Sequence, residues 1–371
     1  MNDTRFWLGR RVFVTGHTGF KGSWLCLWLQ QLGAQVTGFS LDAPTQPSLF
    51  AEAEVARGMQ SVSGDVRDLA AIRDAMNAAR PEVVFHLAAQ SLVRRSYVDP
   101  VDTYGTNVMG TVHVLDAVRQ IGSVRAVVNV TSDKCYENLE STHAYAESDR
   151  LGGYDPYSNS KACSELVTAA YQRSFFASAT GAVARVGIAS ARAGNVIGGG
   201  DWAVDRLVPD LLRAFERGAP AIVRRPRAVR PWQHVLEPLA GYLALAERLH
   251  RSPEHYSGAW NFGPRADDMR AVDEIAAALT SALGDGASFT VQAEASAPHE
   301  TGLLLLDASK SRRELGWGSW LELEEALVWI AQWHRARQAG ASVRQITLEQ
   351  IGRYEARIGV TATETTAPAV N

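Results

Sequence analysis

The sequence predicts an α/β fold, with a doubly wound parallel sheet and a smaller, mixed C-terminal lobe. Short apolar runs rich in β-branched residues alternate with helical patterns, as expected for right-handed βαβ units. The runs are apolar along most of their length, which is typical of parallel strands buried on both faces. They span residues 11–15, 35–41, 59–66, 83–88, 126–131 and 186–191.

Four helical patterns accompany these strands. The start of the fourth is well defined, because Asp155 is a favourable N-cap residue and Pro156 suits the first helical position. Tyr157 is therefore predicted to lie in the first turn of that helix. The four patterns span residues 21–32, 69–79, 103–121 and 156–175.

The texture of the chain changes after about residue 190. Three consecutive glycines are followed by clustered arginines and by shorter mixed segments, which indicate a second, smaller lobe. The C-terminal tail is rich in Thr and Ala and has no periodicity, so we expect it to be disordered. The predicted boundaries are 1–190 with a returning segment near 232–262 for the large domain, 191–231 and 263–360 for the smaller lobe, and 361–371 for the tail.

Composition excludes several classes of protein. The chain has 371 residues, 46% of them hydrophobic, and a net charge of -3, so it should be globular, with no nucleic-acid or anionic-membrane partner. No apolar run is long enough to span a bilayer. The cysteines Cys26, Cys135 and Cys163 are odd in number and lack CxxC spacing, which argues against disulfides and structural zinc. We expect a reducing, cytoplasmic environment.

Tyr157 and Lys161 are spaced to lie on one face of the fourth helix. A free phenol titrates near pH ~10, and a neighbouring cation would favour its ionised form, so the pair suits removal of a proton from an alcohol. Ser132 and Asp133, which follow a predicted strand, supply a second polar cluster. Taken alone, the spacing is more typical of an ordinary solvated helix face, so its meaning depends on the rest of the chain.

The loop Gly16-His17-Thr18-Gly19-Phe20-Lys21-Gly22 joins the first strand to the first helix. Gly16 permits a tight turn, Gly19 allows the backbone to approach a pyrophosphate, and Gly22 allows close packing of helix on strand. In this context the loop predicts a Rossmann domain that binds a dinucleotide. A glycine-rich turn without a ligand is the alternative.

The end of the second strand bears on the choice of dinucleotide. An acidic residue there would bind the adenosine ribose of NAD, but the strand ends near Ser40 and Asp42 lies two residues further on. NAD is favoured because no arginine stands here to bind a 2′-phosphate, although Asp42 could equally be a turn residue. Asp65 ends the third strand and could meet the adenine. The small residues of 87–90 would let the cofactor pass closely.

Five motifs in order carry a resemblance that covers the chain from Arg11 to about Trp333. They are GHTGFKGSWL, TSDKCY, GGYDPYSNSK, RAGNVIGGGDW and RPWQHV. Together they resemble the nucleotide-sugar 4,6-dehydratases of the extended short-chain dehydrogenase/reductase superfamily, and within these the CDP-glucose branch. Each motif alone is weak, but the ordered set is specific.

The resemblance implies a lyase that uses NAD internally. Such enzymes oxidise the sugar at C4, eliminate water across C5 and C6, and return the hydride to C6, which here would convert CDP-glucose to CDP-4-keto-6-deoxyglucose for deoxysugar biosynthesis, such as that of lipopolysaccharide O-antigen. By resemblance, Tyr157 removes the C4 hydroxyl proton and Lys161 lowers the pKa of the phenol and holds the nicotinamide ribose. Ser132 hydrogen-bonds the reacting oxygen.

Elimination needs an acid for the C6 hydroxyl, and Asp133 stands where the family has that acid. Its carboxyl would have to be kept protonated by burial. The related dTDP-glucose enzymes carry a glutamate next, as the C5 base, whereas this chain carries Lys134, as in the CDP-glucose branch. A neutral Lys134 could be the base, or it could stabilise the enolate while another group acts.

Binding residues are carried over in the same way. The segments 192–195 and 205–209 resemble the sugar-nucleotide grip, which gives Asn195, Arg206 and Arg230 as substrate residues, with His299 a weaker candidate. No metal site is expected, and two helices match the dimerising pair of the family, so we expect a homodimer or a dimer of dimers. The predicted cofactor residues are Gly16, Thr18, Gly19, Phe20, Lys21, Gly22, Asp42, Asp65, Val66, Leu87, Ala88, Ala89, Gln90, Asn107, Tyr157 and Lys161.

Other functions remain open at this point. A dTDP- or GDP-sugar 4,6-dehydratase would use the same catalytic residues with different contacts to the nucleotide base. A 4-epimerase or simple dehydrogenase would share Tyr157 and Lys161 but would not need an acid at Asp133. A regulatory protein that only senses NAD would be expected to lack the full set of Ser132, Tyr157 and Lys161.

Overall fold

A computed structural model of the protein describes residues 4–177, 185–284, 286–292 and 302–359. In chain order the strands in these residues, β1 to β14, are Arg11–Thr15, Gln35–Ser40, Gln60–Ser63, Val83–His86, Ala126–Val130, Ala144–Tyr145, Gly187–Ala193, Asn195–Ile197, Ala221–Val223, Val229–His234, Gly258–Phe262, Met269–Ala271, Phe289–Val291 and Leu305–Leu306. The α-helices, α1 to α14, are Thr4–Trp7, Phe20–Gln31, Leu49–Glu52, Leu69–Ala79, Val93–Val98, Pro100–Tyr104, Gly110–Gln120, Pro156–Tyr171, Leu207–Glu216, Leu236–Arg251, Pro253–Tyr256, Val272–Leu283, Leu323–Gln338 and Val343–Arg357.

The large sheet has seven strands in the order β11-β7-β5-β4-β1-β2-β3, and each neighbouring pair is parallel. β1 pairs with β2 on one side and with β4 on the other, so the strand order reverses beside β1. Ligands of doubly wound sheets bind at the carboxyl ends of the strands next to such a reversal. The predicted α/β fold with a doubly wound parallel sheet is confirmed.

Apolar side chains of the sheet pack on both of its faces. Along β1, Val12 and Val14 join a cluster that contains residues of α2 and α10, whereas Phe13 joins a cluster that contains residues of α4 and α7. Successive strand residues point to opposite faces, so the continuous apolar runs in the sequence are those of strands covered by helices on both sides.

The predicted helices are present with local differences in geometry. The pattern at 103–121 is α6, a π-helical segment Gly105–Met109 and α7 in succession, and α8 continues as the π-helical segment Gln172–Phe176. Asp155 caps α8 as predicted, since its carboxylate accepts a hydrogen bond of 2.9 Å from the Ser158 amide. Tyr157 therefore lies in the first turn.

The smaller lobe has its own apolar cluster. Its three-stranded sheet has the order β12-β10-β8, and β9 pairs with β13 alongside. Helices α9, α12 and α13 pack here through residues such as Leu211, Leu279 and Leu327. Between the two parts of this lobe the chain returns to the large sheet, where β11 pairs with β7 and α10 packs behind the strands.

Helix α14 belongs to the large domain, whereas the predicted boundaries placed residues 263–360 in the smaller lobe. It packs on α2 of the large domain, where Trp28 donates a hydrogen bond of 2.7 Å to Glu355 and lies edge-on to Tyr354. The apolar residues of α14 belong to the cluster of the large sheet. Helical periodicity identifies an apolar face but not the surface that covers it, which is why the sequence did not place this helix.

Two other predictions concern residues outside the described ranges. The tail 361–371 and His299 lie outside those ranges, so the disorder of the tail and the substrate contact of His299 remain predictions. Within the described ranges, no helix has the length and apolar character needed to cross a bilayer.

A buried carboxyl joins α14 to the large domain. Glu237, at the start of α10, accepts hydrogen bonds from the amides of Trp320 (2.9 Å) and Leu321 (2.6 Å) and from the Tyr354 hydroxyl (2.8 Å). Burial raises the pKa of Glu237 from 4.5 to about 7, because these bonds offset only part of the cost of removing the charge from water.

We predict that Glu237→Gln stabilises the protein relative to wild type, increasingly as the pH rises. The folded pKa of this acid lies above its unfolded value, so wild-type stability is unaffected below pH 4.5 and is lost as the pH rises from 4.5 to about 7. The difference should reach about 3 kcal/mol near neutral pH. Urea denaturation at several pH values measures it, with the exposed Glu254→Gln as a control. A difference independent of pH would contradict the prediction.

Candidate active site

A cleft of about 760 Å³ lies at the carboxyl ends of β1 to β5, facing the smaller lobe. Nearly all of the residues predicted from sequence line it. The exceptions are Asn107, which lies behind the wall, and His299, outside the described ranges. The residues predicted to act in catalysis and those predicted to bind cofactor and substrate are thus brought to one place.

The loop after β1 has the shape needed for a pyrophosphate. Gly16 has φ of +74°, and a Cβ there would lie 2.7 Å from the Ala88 nitrogen. A Cβ on Gly22 would lie 2.1 Å from the Gly16 carbonyl oxygen. Gly19 is the N-cap of α2 and has no side chain to accept from the first amides of this helix. These amides can bind an anion, so the residues present fit a dinucleotide.

The far end of the cleft is lined by side chains suited to an adenosine. Thr18 and Ser40 share a hydrogen bond of 2.9 Å, and Asp42 is exposed beside them. Asp65 accepts the Arg67 amide at 2.8 Å and forms an ion pair with its guanidinium at 2.5 Å.

Arg67 is a lining residue that the sequence did not single out. Its guanidinium also pairs with Asp102 at 2.8 Å, so two carboxylates share its charge. The charge of Arg67 is therefore balanced by carboxylates that the fold itself supplies.

Asn107 supports the cleft wall instead of lining it. Its amide donates to the Gln90 carbonyl (2.9 Å) and to the Ser160 hydroxyl (2.8 Å), and its carbonyl accepts the Gln90 amide (2.8 Å). The side chain is buried and all of these bonds are internal. The hydrogen-bonding groups of Asn107 hold Gln90 and α8, and its predicted contact with the cofactor stays a prediction.

Tyr157 is buried, and burial raises the pKa of its phenol to about 12. A hydrogen bond with Ser132 and the charge of Arg206 are the main influences that lower this pKa. The sequence assigned that effect to Lys161, but the Lys161 ammonium donates to the Val130 carbonyl at 3.2 Å. Lys161 itself is buried, which lowers its pKa to about 8.

Asp133 follows β5 on a single 3₁₀ turn whose N-cap is Ser132. Burial raises the pKa of Asp133, although the charges of Lys134, Arg230 and Lys21 and a 3.0 Å hydrogen bond from Ser132 act against it. Its second oxygen is buried with no hydrogen-bond partner among the described residues. A protonated carboxyl at the cleft is what the predicted acid requires.

Lys21 faces the same cluster from the first turn of α2. Burial, with the charges of Arg206 and Lys161, lowers the pKa of Lys21 to about 7, while Asp133 and Asp201 oppose this. The sequence predicted a cofactor contact here, but did not predict that Lys21 would lie beside the acid.

The smaller lobe closes the cleft with arginines. Arg206 pairs with Asp201 at 3.0 Å and donates to Ser91 of the large domain at 3.0 Å, so it spans the two parts. Arg230 is buried at the wall and donates to the Gly302 carbonyl at 3.1 Å. Asp201 has no signal in the sequence apart from its place after three glycines.

Arg192 departs from the expected sugar-nucleotide grip. Its guanidinium is buried beneath the cleft and pairs with Glu165 at 2.9 Å. Among the described residues, no group of three or more His, Cys, Asp or Glu side chains is arranged to hold a metal ion.

Comparisons with known proteins give the family. The model of the GDP-mannose 4,6 dehydratase family matches residues 13–328. The chain is 52% identical to a CDP-glucose 4,6-dehydratase of Salmonella typhimurium, covering 95% of this chain and 98% of that protein.

Solved structures share the fold. The epimerase Mth375 of Methanothermobacter thermautotrophicus superimposes with a TM-score of 0.76 at 22% identity, over 91% of this chain and 95% of that chain. DesIV, a dTDP-glucose 4,6-dehydratase of Streptomyces venezuelae solved with NAD and TYD, gives 0.74 at 23% identity, over 90% and 99%. With its family model matched over most of its length, the chain belongs to the GDP-mannose 4,6 dehydratase family.

Proposed function

We propose that this protein is an NAD-dependent CDP-glucose 4,6-dehydratase that forms CDP-4-keto-6-deoxyglucose. The observation that carries the proposal is the buried carboxyl of Asp133, whose pKa is raised by burial, beside Ser132, Tyr157 and Lys161. The 52% identical relative named for this reaction supports the nucleotide.

Oxidation at C4 uses the Tyr157 group. The loop with Gly16, Gly19 and Gly22 would hold NAD, which would supply the hydride acceptor for C4 and the hydride donor for C6. Tyr157 as phenolate accepts the proton of the C4 hydroxyl, and Ser132 donates a hydrogen bond to the oxygen that becomes the ketone. The positive charge of Arg206 stabilises the phenolate, and Lys161 is proposed to hold the nicotinamide ribose.

Elimination uses the neighbours of Ser132. The 4-keto group acidifies the C5 hydrogen, which Lys134 removes in its neutral form. Asp133 gives its proton to the C6 hydroxyl, so that the C6–O bond breaks, water leaves and a C5–C6 double bond forms. With that hydride added at C6, a proton would return to C5 and C6 would become a methyl group.

A 4-epimerase is the alternative in the same superfamily. It needs Ser132, Tyr157 and Lys161 but no acid at C6, so a buried carboxyl with a raised pKa at Asp133 would have no role in it. The test is incubation with NAD and CDP-, dTDP-, UDP- or GDP-glucose, followed by detection of a 4-keto-6-deoxy sugar. Formation of a C4 epimer, or no product from CDP-glucose, would contradict the proposal.

We predict that Asp133→Asn separates oxidation from elimination. An amide cannot give up a proton to the C6 oxygen, so dehydration should fall by about 100-fold or more while the reduced cofactor still forms. The reduced cofactor is followed by absorbance and the product by its 4-keto group. The exposed Asp74→Asn serves as a control.

The stability of this variant should also change. The folded pKa of Asp133 is raised, so wild-type stability is lost as the pH rises from the ordinary aspartate value toward the folded one. Asp133→Asn should therefore unfold at a higher temperature than wild type at neutral pH. In the activity assay, unchanged dehydration by Asp133→Asn would refute the acid role.

We predict that Lys134→Met and Lys134→Arg both retain C4 oxidation and both lose dehydration by about 100-fold, because neither side chain can accept a proton at neutral pH. Exchange of deuterium from solvent into C5 should fall in parallel. If Lys134→Arg keeps its dehydratase activity, the side chain stabilises the enolate through its charge and another group is the base.

We propose that the protein is a cytoplasmic homodimer, or a dimer of such dimers. The dimer is supported by three exposed apolar side chains, Met109, Leu166 and Phe175, on the helices expected to dimerise. The cytoplasmic location is supported by the free, buried cysteines Cys26 and Cys135. Light scattering coupled to gel filtration measures the mass. A monomer at micromolar concentration would contradict the oligomeric part.

A further inference from the structure

We propose that Glu165 is a positioning residue for catalysis. Its carboxylate fixes the end of β5, from which Ser132 and Asp133 project, and holds Lys161 in its charged form. This inference rests on the role of Lys161 in the proposed function.

Glu165 is almost fully buried and uses both carboxylate oxygens. One oxygen accepts the Thr131 hydroxyl at 2.5 Å and the Arg192 Nε at 2.9 Å, and the other accepts Arg192 Nη2 at 3.0 Å. Thr131 is the first residue after β5 and immediately precedes Ser132. The carboxylate therefore ties α8 to the strand end and, through Arg192, to β7.

Arg192 is itself held from several sides. It donates to the Tyr136 hydroxyl at 2.8 Å and lies over that ring at 4.8 Å, and Tyr136 in turn donates to Asn261 at 2.7 Å. Tyr136 is the residue that follows the turn of Asp133. The segment from Thr131 to Tyr136 is thus held at both ends by one buried network, which begins at Glu165.

Lys161 is bound to the same strand end, one helical turn before Glu165. Its ammonium donates to the Val130 carbonyl at 3.2 Å, so adjacent residues of the chain, Val130 and Thr131, are held by side chains at i and i+4 of α8. A carboxylate at that spacing favours the charged form of the lysine, and its charge raises the pKa of Lys161 against the effect of burial.

The other ionisable groups that interact with Lys161 do not replace this carboxylate. Lys21 faces it from α2 and has the same sign. His86 on β4 is buried, which lowers its pKa to about 3, so it is neutral. Burial raises the pKa of the Cys135 thiol well above its usual range, so it too is neutral. Glu165 is left as the source of negative charge for Lys161 among these groups.

The ion pair of Glu165 and Arg192 makes the electrostatic role separable from a structural one. Glu165→Gln removes the carboxylate and leaves the buried Arg192 cation without its partner. Both effects disfavour a positive charge on Lys161. Arg192→Met leaves the carboxylate and removes the cation, which favours that charge. If the network were purely structural, both variants would be damaged, but they would not shift the pKa of Lys161 in opposite directions.

The experiment follows the titration of Lys161 directly. The chain has only four lysines, Lys21, Lys134, Lys161 and Lys310, so biosynthetic labelling with ¹³Cε-lysine gives few NMR signals, and Lys161→Arg identifies the relevant one. We expect the midpoint of Lys161 to fall by about one pH unit in Glu165→Gln and to rise by about one in Arg192→Met. Thr131→Val, which removes only the hydroxyl bond, should leave the midpoint in place.

Glu165→Asp keeps the negative charge and serves as a second variant in case Glu165→Gln does not fold. Circular dichroism establishes that each variant is folded. Shifts in the same direction for Glu165→Gln and Arg192→Met, or no shift in folded variants, would overturn the inference. This readout needs no substrate. Failure of wild type to form a 4-keto-6-deoxy product would instead overturn the proposed function and leave the titration result interpretable.

Discussion

Burial of ionisable side chains at the carboxyl end of β5 is the constraint on which the site depends. Asp133, Tyr157 and Lys161 all have shifted pKa values, and burial is the largest cause in each case. It favours the neutral acid, the neutral phenol and the neutral amine alike. The polar contacts of Ser132, Arg206 and Glu165 then act against burial selectively, so the neighbours of a group, and not its residue type, determine which proton moves.

The fold and the site location could be predicted because they follow from local patterns. The strands of the large sheet are apolar throughout, Asp155 and Pro156 set the start of α8, and Gly16 and Gly22 occupy positions where a Cβ would overlap backbone atoms. Such features are properties of consecutive residues. Parallel strands also end at one edge, which collects their loop residues in the cleft.

The sequence did not predict contacts between residues far apart in the chain. Asn107 holds Gln90, and Arg192, which belongs to a segment expected to grip the sugar nucleotide, pairs with Glu165. Helix α14 was expected in the smaller lobe but covers α2. In each case the residue type was informative, since an amide, a guanidinium and an apolar face all need partners. The partner is set by packing, which spacing does not reveal.

The same burial lets Asp133 hold a proton while cations stand beside it. In water, an aspartate next to these cations would be ionised, and a carboxylate cannot give a proton to a leaving hydroxyl. A charge is costly in a buried site, so the proton is better kept on the carboxyl. The charges of Lys134, Arg230 and Lys21 oppose this by favouring the carboxylate, but the pKa of Asp133 remains raised. A substrate that completes the burial would therefore favour the protonated acid that elimination requires.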